Sequence, residues 1–220
     1  MPLKAVLFDM DGVIVDTNPY HKISLKQFCE KYGYPLNEED LISKIYGRTN
    51  NEWIRNIFGP LSKERILELG EEKEAMFRAI YKDVIKPVSG LDSFLEELEE
   101  RSIPKAIGTS APRSNVDFVL EHTHLKKYFT TILDQSDVEH GKPDPEIYLK
   151  VADRLGFSPQ QCIVFEDSLS GVESAQRAGA RVVGVATTHS HQELAHTDLV
   201  ISDFEGLKPL ELYRRVFKHL

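Results

Sequence analysis

Cysteine, tryptophan and long apolar runs are scarce in this 220-residue chain: it has two cysteines and one tryptophan, and no stretch approaches the roughly 20 apolar residues of a membrane span. Cys29 and Cys162 are too few for a disulfide miniprotein and have no metal-ligand spacing, so reduced, partly buried thiols are expected. Basic charge is also short, 27 Lys and Arg against 35 Asp and Glu, a formal net charge of -8. That balance offers no general attraction to nucleic acid or to an anionic membrane, so any phosphate must be met locally. No repeat or low-complexity tract is present. The start, MPLKAVLFDM, lacks a charged region followed by a long apolar stretch and a cleavage site, so a cytoplasmic protein is expected. What is there, 41% hydrophobic and 28% charged residues, suits one large domain or a core with a smaller insertion.

Short apolar runs recur at Ala5–Phe8, Lys105–Gly108, Cys162–Phe165, Arg181–Val185 and Leu199–Ile201 and read as strands buried on both faces. Helical patterns lie between them: Leu91 to Arg101, Pro112 to Glu121, Pro145 to Gly156, and Gly171 to Ala178 closed by Gly179. Strand alternating with helix predicts an α/β fold with a doubly wound parallel sheet. Residues 17–85 break the alternation with helical patterns alone, including Tyr20 to Tyr32 and the charged Lys63 to Lys82. They are expected to form an insertion, so that the core is discontinuous, 1–16 and 86–220.

Open α/β sheets bind ligands at the carboxyl ends of their strands. After the first strand stands Asp9-Met10-Asp11-Gly12, two carboxylates at i and i+2 on one side of an extended segment, with a glycine to turn the chain away. A nucleophile with a proton-handling neighbour fits this pattern, and so does a capping turn. The second strand runs into Thr109-Ser110-Ala111-Pro112, small hydroxyls at a helix start that serve as an anion site or a plain N-cap. His140-Gly141-Lys142-Pro143-Asp144-Pro145 holds a lysine in a stiff turn, which suits an ammonium aimed at a phosphoryl oxygen; a solvated lysine is the ordinary alternative. Glu166-Asp167-Ser168 follows the Cys162–Phe165 run with adjacent acids, hard oxygen donors of the kind that suit Mg²⁺.

Taken together and in this order, these motifs resemble the haloacid dehalogenase superfamily from end to end. Asp9-Met10-Asp11-Gly12-Val13 matches its first motif, Thr109 the second, Lys142 the third, and Glu166-Asp167 the fourth. The insertion resembles the helical cap of the branch that contains β-phosphoglucomutase and many small phosphatases. The resemblance implies a Rossmann-like core with an inserted four-helix cap. It also implies that Asp9 attacks phosphorus to form an aspartyl phosphate, while Asp11 protonates the leaving oxygen and then activates the acceptor. Mg²⁺ would be held by Asp9, the backbone carbonyl of Asp11 and Asp167, with Glu166 nearby. Thr109, the Ser110 backbone and Lys142 would hold the phosphoryl oxygens. Dehalogenation is disfavoured, because dehalogenases lack the acid that Asp11 supplies.

The acceptor is the open choice within that branch. His21 matches a mutase histidine that couples the cap to the acid/base aspartate, although related phosphatases share a similar opening. The expected mutase loop Gly-Val-Ser-Arg is replaced by Gly47-Arg48-Thr49-Asn50, with its arginine two places early. Its Ser-Lys-Asn is replaced by Arg113-Ser114-Asn115, in which Arg113 and Asn115 substitute only in part. Lys73 falls near a mutase cap lysine, but Gly70-Glu71-Glu72-Lys73-Glu74 is so charged that it reads as a solvated face. The expected function is therefore Mg²⁺-dependent hydrolysis of a small phosphorylated metabolite by a monomer, with phosphate contacts from Ser110, Lys142, His21, Arg48 and Asn115. Mutase transfer is the alternative, and a non-catalytic phosphate-binding protein is the remote one. His189, His191 and His196 read as loop residues rather than metal ligands.

Overall fold

A computed structural model describes residues 4–45 and 49–217. Six parallel strands, β1 (Ala5–Phe8), β2 (Lys105–Gly108), β3 (Thr131–Leu133), β4 (Cys162–Glu166), β5 (Arg181–Val185) and β6 (Leu199–Ile201), form one sheet in the order β3-β2-β1-β4-β5-β6. The chain divides into two compact units, residues 1–16 with 85–220, and residues 17–84. Among the described residues no helix is long and apolar enough to cross a membrane.

In the first unit, alternation along each strand sends side chains to two buried faces. Ala5, Leu7, Cys162, Val164 and Val182 pack with α7 (Glu146–Arg154) and α8 (Leu169–Ala178). On the other face, the register that pairs Phe8 with Phe165 stacks their rings at 5.2 Å between centroids. Phe94, from α5 (Leu91–Glu100), and Phe204 close over them at 5.6 and 5.0 Å from Phe165. Each such ring contributes about 1.5–3 kcal/mol by leaving water. The other α-helices among the described residues of this unit are α6 (Arg113–His122) and α9 (Pro209–Val216).

The strand β3 carries no signature in the sequence. Three residues at a sheet edge, two of them only half-buried, carry too little apolar pattern to stand out. The strand order reverses between β1 and β4, and it is there that an open α/β sheet leaves a crevice.

Among its described residues the second unit holds four α-helices, α1 (Asn18–Lys31), α2 (Glu38–Asp40), α3 (Asn50–Phe58) and α4 (Lys63–Tyr81), with a π-turn at Leu41–Ile45. Thr49 and Ser62 cap α3 and α4 through their side chains, satisfying backbone N–H groups that the first helical turn leaves unpaired. Leu25, Phe28, Leu41, Trp53, Ile54 and Leu69 form its own core.

Candidate active site

Asp9, directly after β1, is tied to the neighbouring strand by its backbone N–H, which donates to the Phe165 carbonyl at 3.0 Å. Glu166 ends β4, Asp167 follows it, and both are buried. Parallel pairing of β1 with β4 therefore carries three carboxylates to one edge of the sheet, and oxygens of Asp9, Glu166 and Asp167 all lie within 4.8 Å of one another. Lys142 reaches them from the loop before α7, where the Lys142–Pro143 peptide is cis. Its ammonium donates to Asp9 Oδ1 at 2.7 Å and Glu166 Oε1 at 2.6 Å, with the Gly108 carbonyl at 3.3 Å.

Burial, reinforced by Glu166 and Asp11, raises the Asp9 carboxyl above its ordinary range in spite of Lys142. Asp167 is pushed up by burial and then by Glu166 and Asp9. For Lys142, burial pulls downward, but the Asp9 and Glu166 charges outweigh it and keep the ammonium charged. The group thus holds more acid than base, and this is the observation on which a cation can be judged. Hard carboxylate oxygens converging in a buried, acid-rich cluster fit Mg²⁺. Asp11 supplies no carboxylate to this group; it is half-buried at the turn where the Gly12 N–H donates to the Val15 carbonyl at 2.7 Å.

Gly12 is what lets Asp167 come so close. Its φ is +77°, and a Cβ there would stand 2.0 Å from Asp167 Oδ2. Two threonines after β5 complete this corner: Thr187 Oγ1 donates to the Gly12 carbonyl at 2.5 Å, and the Thr188 hydroxyl donates to Asp167 Oδ2. On the β2 side, buried Thr109 accepts at Oγ1 from the Ala111 N–H at 3.1 Å, while Ser110 is exposed. Asn115 is buried at the start of α6.

Tyr148, Thr187 and Thr188 escaped the sequence reading. Tyr148 lies on an apolar helix face, where a tyrosine is read as packing, yet its hydroxyl donates to Glu166 Oε1 at 2.6 Å. Burial, then Glu166, pushes that phenol well above its ordinary value, so it stays protonated. Thr187 and Thr188 follow a strand end with neither an acid nor a proline-marked turn to set it apart.

In the helical unit the expectation for Lys73 is corrected. It is 4% exposed, not on a solvated face. Its ammonium donates to His21 Nδ1 at 2.8 Å and Glu74 Oε1 at 3.0 Å, and the His21 ring stacks on Phe77 with centroids 3.8 Å apart. A run of charges hides two buried members because a helix turns neighbouring positions toward different surroundings. Arg48 lies outside the described residues. His189, His191 and His196 bond to Glu193, Ser202 and the Glu193 carbonyl respectively.

Residues 6–185 match the family model described as haloacid dehalogenase-like hydrolase. A phosphorylated carbohydrates phosphatase of Thermotoga maritima is 38% identical over 189 residues, 83% of this chain and 85% of that one. A beta-phosphoglucomutase of Bacillus subtilis is 30% identical over 93% of this chain and 92% of its own length. Among solved structures, a HAD hydrolase, family IA, variant 3, from Entamoeba histolytica superposes with a TM-score of 0.90 at 33% identity, covering 97% of this chain and 99% of that one.

Proposed function

The chain belongs to the haloacid dehalogenase-like hydrolases, and from that premise we propose that it is a Mg²⁺-dependent phosphohydrolase acting on a small phosphorylated metabolite, with sugar phosphates the first class to try. The observation that carries the reading is the Asp9 carboxylate, held between a buried ammonium and two further buried acids at the strand-order reversal. Asp9 attacks phosphorus, the bond from phosphorus to the leaving oxygen breaks, and Asp11 gives that oxygen its proton. Asp11, now a base, takes a proton from water, which attacks the aspartyl phosphate; Asp9 and inorganic phosphate separate. Splitting the displacement in two lowers each barrier.

Lys142 and Thr109 stabilise charge on the phosphoryl oxygens. The Thr109 hydroxyl accepts from the Ala111 N–H, which leaves its own proton to be donated. Asp9, Asp167 and the Asp11 carbonyl would hold Mg²⁺. Glu166 supports them from behind, since both its oxygens already accept: Oε1 from Lys142 and Tyr148, Oε2 from the Asp167 and Ser168 N–H groups and the Ser168 hydroxyl. Bound there, Mg²⁺ would neutralise charge on the transferring group.

Hydrolysis is favoured over transfer back to a sugar by the 38% identity to the carbohydrate phosphatase and by the departures from the mutase pattern at Gly47-Arg48-Thr49-Asn50 and Arg113-Ser114-Asn115. A phosphate-release screen over sugar phosphates, nucleotides and pyrophosphate tests this, beside an assay converting β-glucose 1-phosphate to glucose 6-phosphate. Release that needs Mg²⁺ and stops on chelation is expected. Isomerisation primed by the bisphosphate, without release, would make it a mutase.

A further inference from the structure

Tyr148 is fully buried on α7, where Ile147 and Val151 anchor the same helix into the core of the sheet. The ring is therefore placed by packing, and its polar contacts are a consequence of that placement. Those contacts fall on the two groups that flank Asp9. The hydroxyl donates to Glu166 Oε1 at 2.6 Å and accepts from Lys142 Nζ at 3.0 Å, while the ammonium stands 4.9 Å from the ring centroid.

Lys142 has three protons and four acceptors: Asp9 Oδ1, Glu166 Oε1, the Tyr148 hydroxyl and the Gly108 carbonyl. A lysine stem has four rotatable bonds and holds no fixed point by itself. Three of the acceptors belong to rigid elements, the end of β2, the end of β4 and the helix α7. We infer that Tyr148 is a positioning residue: its hydroxyl fixes the Lys142 ammonium and the Glu166 carboxylate against each other, so that the counter-charge of Asp9 stays on one side of the nucleophile. The Tyr148 hydroxyl bonds Lys142 and Glu166, and it acts on Asp9 through them. The inference rests on the reading of Asp9 as nucleophile.

The test is Tyr148→Phe, which keeps the ring and removes the hydroxyl. Phosphate release should lose about 10–100-fold in kcat, the range found when an outer partner of a reacting group is removed. KM should stay within about threefold, because the loss falls on the chemical step. A second readout is independent of turnover: the ¹⁵N-detected ammonium signal of Lys142 in the full-length protein, assigned by its NOEs to the Tyr148 ring, should shift or broaden in the variant. Both changes are required. An unchanged kcat, a loss confined to KM, or an unmoved ammonium signal overturns the inference. If the wild type releases phosphate from no compound in the screen, it is the hydrolase reading that fails, and the ammonium signal alone decides whether Tyr148 holds Lys142. Should Tyr148→Phe not fold, 3-fluorotyrosine placed at 148 strengthens the donor without altering shape; an unmoved signal there is equally fatal.

Discussion

Both compact units bury a lysine against carboxylates, and they balance it differently. In the helical unit Lys73 meets Glu74, one charge against one, and gives another proton to His21. In the sheet unit Lys142 meets Asp9 and Glu166, with Asp167 beside them. The whole sequence shows the same division, since residues 17–85 hold 11 basic and 11 acidic residues, while the rest hold 16 and 24. A matched buried pair is complete in itself, whereas an excess of buried acid calls for a positive partner from outside. The two buried lysines thus differ in the charge that surrounds them, one acid beside Lys73 and three around Lys142.

The largest expected effect breaks the comparison at its chemical end. Asp9→Asn keeps the shape of the side chain and removes its nucleophilic oxygen, so phosphate release should fall by about a thousandfold or more while circular dichroism stays that of the wild type. Lost activity with lost structure would place Asp9 among the structural groups instead.

Next in size are the two lysines. Removing one partner of a buried pair costs about 3–5 kcal/mol, so Lys142→Met and Lys73→Met should both lower the urea midpoint. Fluorescence of Trp53, the single tryptophan, follows the helical unit, and far-UV circular dichroism follows the whole chain, the sheet unit included. Mg²⁺ should recover part of the Lys142→Met loss, where acid is in excess, and none of the Lys73→Met loss. Equal recovery in the two variants would erase the distinction.

Smaller again is a pair of glycines with the same φ of +77°, Gly12 in the sheet unit and Gly33 in the helical unit. A Cβ on Gly33 meets nothing within 4 Å, so Gly33→Ala should carry the backbone cost alone, about 1 kcal/mol. Gly12→Ala adds the collision with Asp167 and should cost more and reduce activity as well. Equal costs would mean that Asp167 moves aside freely.

The smallest effect is on thiol chemistry. Burial pushes the thiols of Cys29, in the helical unit, and Cys162, in the sheet unit, up to about 11. The thiolate is the reactive form, and a raised value keeps both neutral until the pH rises toward 11, so at pH 8 iodoacetamide should label neither in the folded protein. In rising urea, mass spectrometry then reads which cysteine is exposed first, and so which unit opens first.

What the sequence made legible follows from where each residue sits. Asp9, Thr109, Glu166 and Asp167 stand at the ends of short apolar runs, and parallel pairing turns that regular position into proximity. Lys142 was marked by the glycine and prolines around it. Tyr148 and Lys73 carry no such punctuation: one is hidden in an apolar helix face and the other in a run of charges, and in both cases three-dimensional packing decides what the polar atom meets. Thr187 and Thr188 touch Gly12 and Asp167 across 175 and 21 residues of chain respectively, separations that no local pattern encodes. The strand β3 was lost for a different reason, its three residues being too few to show a period.

The most direct test of the account is to trap the intermediate. Protein quenched in acid during turnover of a hydrolysed substrate with Mg²⁺, then reduced with borohydride and digested, should contain homoserine at position 9, the product of reducing an aspartyl phosphate. Phosphate release with no modification at Asp9, or with the modification on another carboxylate, would contradict it.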